Sequence, residues 1–122
     1  MAVKYMIMMF GSAEEMMQVQ SKDWVAEMIS FMMTLNDELT ASGELVDARG
    51  LVDGSQAKTI SLAADGTVVT TDGPYAESKE SIVGYWVLDV DSEARAVEIC
   101  GRIVKYARSV ELRQVADAPP EM

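Results

Sequence analysis

Apolar positions recur along this chain at two periods, and the switches between them mark its elements. Residues 3–10, VKYMIMMF, are apolar at both alternations. Val3, Tyr5, Ile7 and Met9 fall on one side of a strand and Met6, Met8 and Phe10 on the other, so both sides are expected to be buried. Residues 13–20, AEEMMQVQ, are ambiguous and fit a short helical turn. From Ser21 the period becomes helical: Trp24, Met28, Phe31, Met32, Leu35 and Leu39 form one stripe. Ser21 is placed as N-cap, Asp23 sits in the first turn, and Gly43 is placed to end the helix in a left-handed conformation. The methionines share that stripe and read as core filler.

Residues 44–52, ELVDARGLV, predict a second strand, with Gly50 a candidate bulge. Residues 58–63 and 67–71 are β-formers that flank Ala64-Asp65-Gly66, a hairpin signal. Residues 82–90, IVGYWVLDV, are the most apolar strand: Ile82, Gly84, Trp86 and Leu88 share one face, Val83, Tyr85 and Val87 the other. A second helix follows, capped by Asp91 or Ser92, with Val97, Cys100, Ile103, Val104 and Ala107 as its stripe. Glu98 and Arg102 are spaced for an i,i+4 pair, and Gly101 suggests a close approach to the sheet. Residues 109–116 form a last strand.

The order is strand-helix-strand, a hairpin, then strand-helix-strand. Two such units with both helices on one sheet face predict an α+β ferredoxin-like βαββαβ sandwich carrying an inserted hairpin. Its central strands are apolar on the face the helices leave open. A bare apolar sheet is an interaction surface, and a second copy in a two-fold homodimer is the economical cover. A different protein is the alternative.

Composition narrows the functions available. At 122 residues the chain is expected to be one domain, residues 1–122. No apolar run reaches the length of a membrane span, and MAVKYMIMMF suits a buried first strand better than a leader, so the expected location is cytoplasmic. The net charge of −10 disfavours nucleic acid and anionic lipid; small molecules and basic protein surfaces remain as partners. Cys100 is the one cysteine, read as a core thiol. There is no histidine, which removes the commonest general base and transition-metal ligand; no metal or cofactor is expected.

Candidate chemistry gathers in residues 71–81, TDGPYAESKES. Asp72, before Gly73-Pro74, is expected to be held in a turn, with Gly73 pushed toward extended geometry by the proline. As catalytic candidates, Asp72 would serve as general base or ligand anchor and Tyr75 as hydrogen-bond donor to an oxyanion. Glu77 and Glu80 would raise each other's pKa if close, and Lys79 would bind a carboxylate. For Glu77 and Lys79 a solvated or ion-paired role is preferred; for Asp72 and Tyr75 a turn-and-packing role stands beside the chemical one. Asp47 and Arg49 share a strand face and could orient an anionic ligand, although a salt bridge near a dimer interface is the preferred reading. Tyr5, Tyr85 and Trp86 could line a pocket, with packing preferred. Asp37, Glu38, Asp53 and Asp65 read as ordinary solvated residues.

Three stretches, KYMIMMFG at 4–11, DGPYAESKESIVGYWVLDV at 72–90 and VELRQV at 110–115, resemble the YCII-related family, in particular its DGPF-motif branch. The resemblance implies a dimeric ferredoxin-like fold of the dimeric α/β-barrel kind, with a cavity beside the sheet. It implies a small-molecule protein, with isomerase- or lyase-like activity as one expectation. The alternative, motivated by the acidity and the missing histidine, is a non-catalytic interaction or regulatory module that binds a basic protein surface, for which the link of some relatives to extracytoplasmic-function sigma factors makes such a factor a candidate. Tyr75 stands where the motif usually has Phe. The His-Asp pair proposed as catalytic in YCII-like relatives has no counterpart, because the region from Phe31 to Met33 is apolar and the chain lacks histidine.

Overall fold

A computed structural model describes residues 3–75 and 80–119. Its elements run β1 (Val3–Phe10), α1 (Ala13–Val19), α2 (Lys22–Ser42), β2 (Leu45–Gly50), a short 3-10 turn (Gly54–Gln56), β3 (Lys58–Leu62), β4 (Val68–Asp72), β5 (Ile82–Val90), α3 (Glu93–Ala107) and β6 (Glu111–Gln114). Four strands form one sheet in the order β2-β5-β1-β6, with antiparallel pairing throughout. This is the ferredoxin-like arrangement expected from the element order. The β3-β4 hairpin forms a separate two-stranded sheet.

Local chemistry sets the helix limits. The hydroxyls of Ser12, Ser21 and Ser92 accept hydrogen bonds from the amides of Glu15, Trp24 and Arg95 at 3.1–3.2 Å, capping α1, α2 and α3. Gly43 ends α2 at φ 79°, as its position predicts. The ambiguous segment after β1 is thus a capped two-turn helix.

Helices α2 and α3 cover one sheet face. Ile7, Leu35, Leu39, Leu88, Ile99 and Ile103 are fully buried there, each worth about 1.5–3 kcal/mol. Trp24 and Phe31 of α2 meet Tyr106 of α3 at ring-centroid distances of 5.7 and 5.0 Å, joining the helices at their outer edge. At the opposite end, Glu44 is buried and accepts two hydrogen bonds from Arg95, both 2.8 Å, and one from the Ser42 hydroxyl, also 2.8 Å. The Arg95 bond is the main cause that lowers the Glu44 carboxyl to about 2.

Several expectations are corrected. Of the expected α3 stripe, Cys100 and Ile103 are buried and Ala107 packs against the core, but Val97 is exposed, and Ala96 and Ile99 complete the buried side. Ala96 is small enough to sit flat on the sheet, which turns the helix toward its side. Gly101 lies on the exposed side, where an added Cβ would meet nothing within 4 Å. Glu98 pairs with Arg95 rather than Arg102, which reaches Glu38 of α2. The irregularity of β2 falls between Leu45 and Asp47, while Gly50 keeps regular register with Gly84.

Among the described residues, none covers the face away from the helices. Met6, Met8, Val83, Tyr85 and Val87 are half-buried there. Its rim holds Lys4, Arg49 and Arg113 against Asp47, Asp89 and Glu111, a neutral set on a chain of net charge −10. Among the described residues, Asp89 Oδ1 on this face is buried and has no hydrogen-bond partner.

Candidate functional site

Beyond β4 the chain turns at Gly73-Pro74, and the turn is laced to the start of the hairpin. The Gly73 amide donates to Ala57 O at 2.8 Å, and the Thr59 hydroxyl donates to Gly73 O at 2.9 Å. Gly73 takes φ 108° rather than the extended geometry expected before proline. A residue without a Cβ escapes that restriction and supplies the backbone reversal.

This turn overlies the loop after β2. A Cβ on Gly54 would lie 3.0 Å from Ser81 Oγ and 3.4 Å from Pro74 Cγ, so the loop and the turn touch through a glycine that side-chain bulk would force apart. Between them and the sheet end lies a cavity of about 470 Å³. Phe10 and Ile82 line it from the sheet and Leu51 and Val52 from the loop. Pro74, Tyr75 and Glu80 close it from the motif side, and Lys58 enters from the hairpin. The volume lies in the range of small-molecule sites, and the walls are chiefly apolar.

Asp53 builds the loop wall and corrects its reading as an ordinary solvated residue. Its carboxylate accepts from the amides of Ser55 (3.0 Å) and Glu14 (3.1 Å) and from the Ser12 hydroxyl (2.9 Å). These bonds, led by that from the Ser55 amide, hold its pKa far below the usual carboxylate range. It remains an anion fixed to the scaffold. An Asp followed by Gly-Ser is the sequence signal for such a cap.

The candidate residues fall into separate places. Tyr75 stands at the cavity rim with its ring 95% exposed. Asp72 is exposed and ion-paired with Lys58, the residue opposite it in the hairpin, so it reaches the cavity only through that lysine. Glu80 lines the cavity and, among the described residues, has no hydrogen bond or ion pair. Glu77 and Lys79 lie outside the described residues.

Asp47 and Arg49 are on β2, away from this cavity. They pair at 3.1 Å, and the Tyr85 hydroxyl donates to Asp47 at 3.2 Å. Burial, then the Asp47 hydrogen bond, raises the Tyr85 pKa. Tyr5 and Trp86 belong to the helix-side core, where Trp86 Nε1 donates to Asn36 Oδ1 at 2.7 Å. Beside that bond, Gly50 opposite Gly84 leaves a gap of about 120 Å³ under α2, reached by Met9, Met32 and Arg49. Cys100 is buried in the core, and burial raises its pKa.

Among the described residues no group of three His, Cys, Asp or Glu could hold a metal ion, and no helix is long and apolar enough to cross a membrane. The family model for the YCII-related domain matches residues 3–118. Among curated proteins, none matches.

Proposed function

Because the chain belongs to the YCII-related family, we propose that it is a homodimeric small-molecule-binding protein whose ligand occupies the cavity under the Gly73-Pro74-Tyr75 turn. The observation that carries this reading is the cavity itself. It is about 470 Å³, walled by apolar side chains, and the family-like motif forms one side of it. Asp53 and Gly54 hold the opposite wall in a fixed place, so the space is preorganised.

The open sheet face supports the dimer. It is apolar at the centre and charge-balanced at the rim, so two copies can meet there without the repulsion that the rest of a −10 surface imposes. The Asp47-Arg49-Tyr85 cluster sits at the edge of that face and serves the interface.

Binding is tested by titrating small amphiphiles into protein with labelled methyl groups and following Leu51, Val52 and Ile82 by NMR. Shifts concentrated on those three are expected. Shifts concentrated around Met32, or none at all, would sink the reading.

A further inference from the structure

The proposed ligand site also specifies a class of ligand, and this step rests on the reading of the cavity just given. Among the described residues, four charged side chains stand at or beside the cavity, and three are already engaged. Asp53 is held by three donors to its own scaffold. Lys58, the cation of the lining, is ion-paired with Asp72. Glu80 alone is left without a partner among the described residues. The motif also presents the Tyr75 ring to the same cavity, almost fully exposed. The unspent groups are therefore a carboxylate and an aromatic face, set against the apolar walls of Phe10, Leu51 and Ile82.

A carboxylate and an aromatic ring are complementary to an organic ammonium: the first offers charge, the second a negative π-face. An anionic ligand would meet Glu80 and Asp53 together, with the lysine already paired. The long-range field of a chain with net charge −10 acts in the same direction, drawing cations in and turning anions away. We propose that the cavity takes a small organic amine, its ammonium between Glu80 and the Tyr75 ring and its apolar body against Phe10, Leu51 and Ile82.

The test uses three probes with one skeleton: 4-phenylbutylamine, 4-phenylbutan-1-ol and 4-phenylbutyrate. Each is titrated into the wild-type protein at low and high salt while the Leu51, Val52 and Ile82 methyl groups are followed. The amine is expected to bind at least tenfold more tightly than the other two, and salt should weaken the amine alone. Glu80→Gln, an exposed and nearly isosteric change, should remove the amine's advantage over the alcohol.

Equal or tighter binding of the alcohol or the carboxylate at the same methyl groups would overturn the amine assignment and leave the cavity as a ligand site. An amine preference that survives in Glu80→Gln would overturn it as well. If none of the three moves those methyl groups, the site and the ligand class both fall.

Discussion

Leu88 and Val87 are neighbours on β5 and point to opposite sides of the same sheet. Leu88 is fully buried under the helices, whereas Val87 lies half-buried on the face this chain leaves uncovered. The same β-propensity and nearly the same hydrophobicity thus serve two purposes. On one side apolar surface closes the fold of a single chain; on the other it is available to a second molecule. The difference lies in which helices cross which face, and that is a property of topology rather than of the residue.

The comparison breaks most visibly at Leu88. Leu88→Ala should cost about 2–5 kcal/mol, the range for emptying a well-packed core site, read as a lower urea midpoint. The next largest effect belongs to the helix-side carboxylate. Glu44 titrates near 4.5 when unfolded and about 2 when folded. The unfolded chain therefore takes up the proton first. The stabilisation is full above pH 4.5 and is lost as the pH falls toward 2, on the order of 2–3 kcal/mol in total. Glu44→Gln should flatten that part of the stability-pH curve.

Val87→Arg acts on the other face. It should convert a dimer to a monomer in light scattering while the far-ultraviolet circular dichroism stays unchanged. Loss of secondary structure together with the mass would show that Val87 belongs to the core after all. The smallest expected effect is at Gly101, on the outer side of α3. With open space around its Cβ position, Gly101→Ala should add about 0.5–1 kcal/mol, visible as a modest rise in Tm.

Much of this fold is written in local patterns. Period, serine caps, the Asp-Gly turn and Gly43 suffice to place the sheet strands and long helices within two or three residues, because each is decided by a few neighbouring side chains. The rotation of α3 was not legible, since it depends on Ala96 meeting the sheet, and smallness shows only against a partner surface. Asp53 was missed in part for a related reason: the Ser55 donor is local, but Ser12 and the Glu14 amide at the start of α1 are some forty positions away and meet it only in the fold. The motif's importance could be seen from Gly73-Pro74, but not the division of labour within it. Asp72 pairs with Lys58, whereas Glu80 lines the cavity and, among the described residues, has no partner.

Native mass spectrometry of protein isolated from its own cells tests the central claim most directly, with Val52→Trp as the matched variant. Val52 lines the cavity from an exposed loop, so the indole fills the space without entering the core. The account predicts two chains carrying small-molecule adduct mass in the wild type, and two chains without it in Val52→Trp. A wild type free of adduct, or an adduct that persists in the variant, would contradict it.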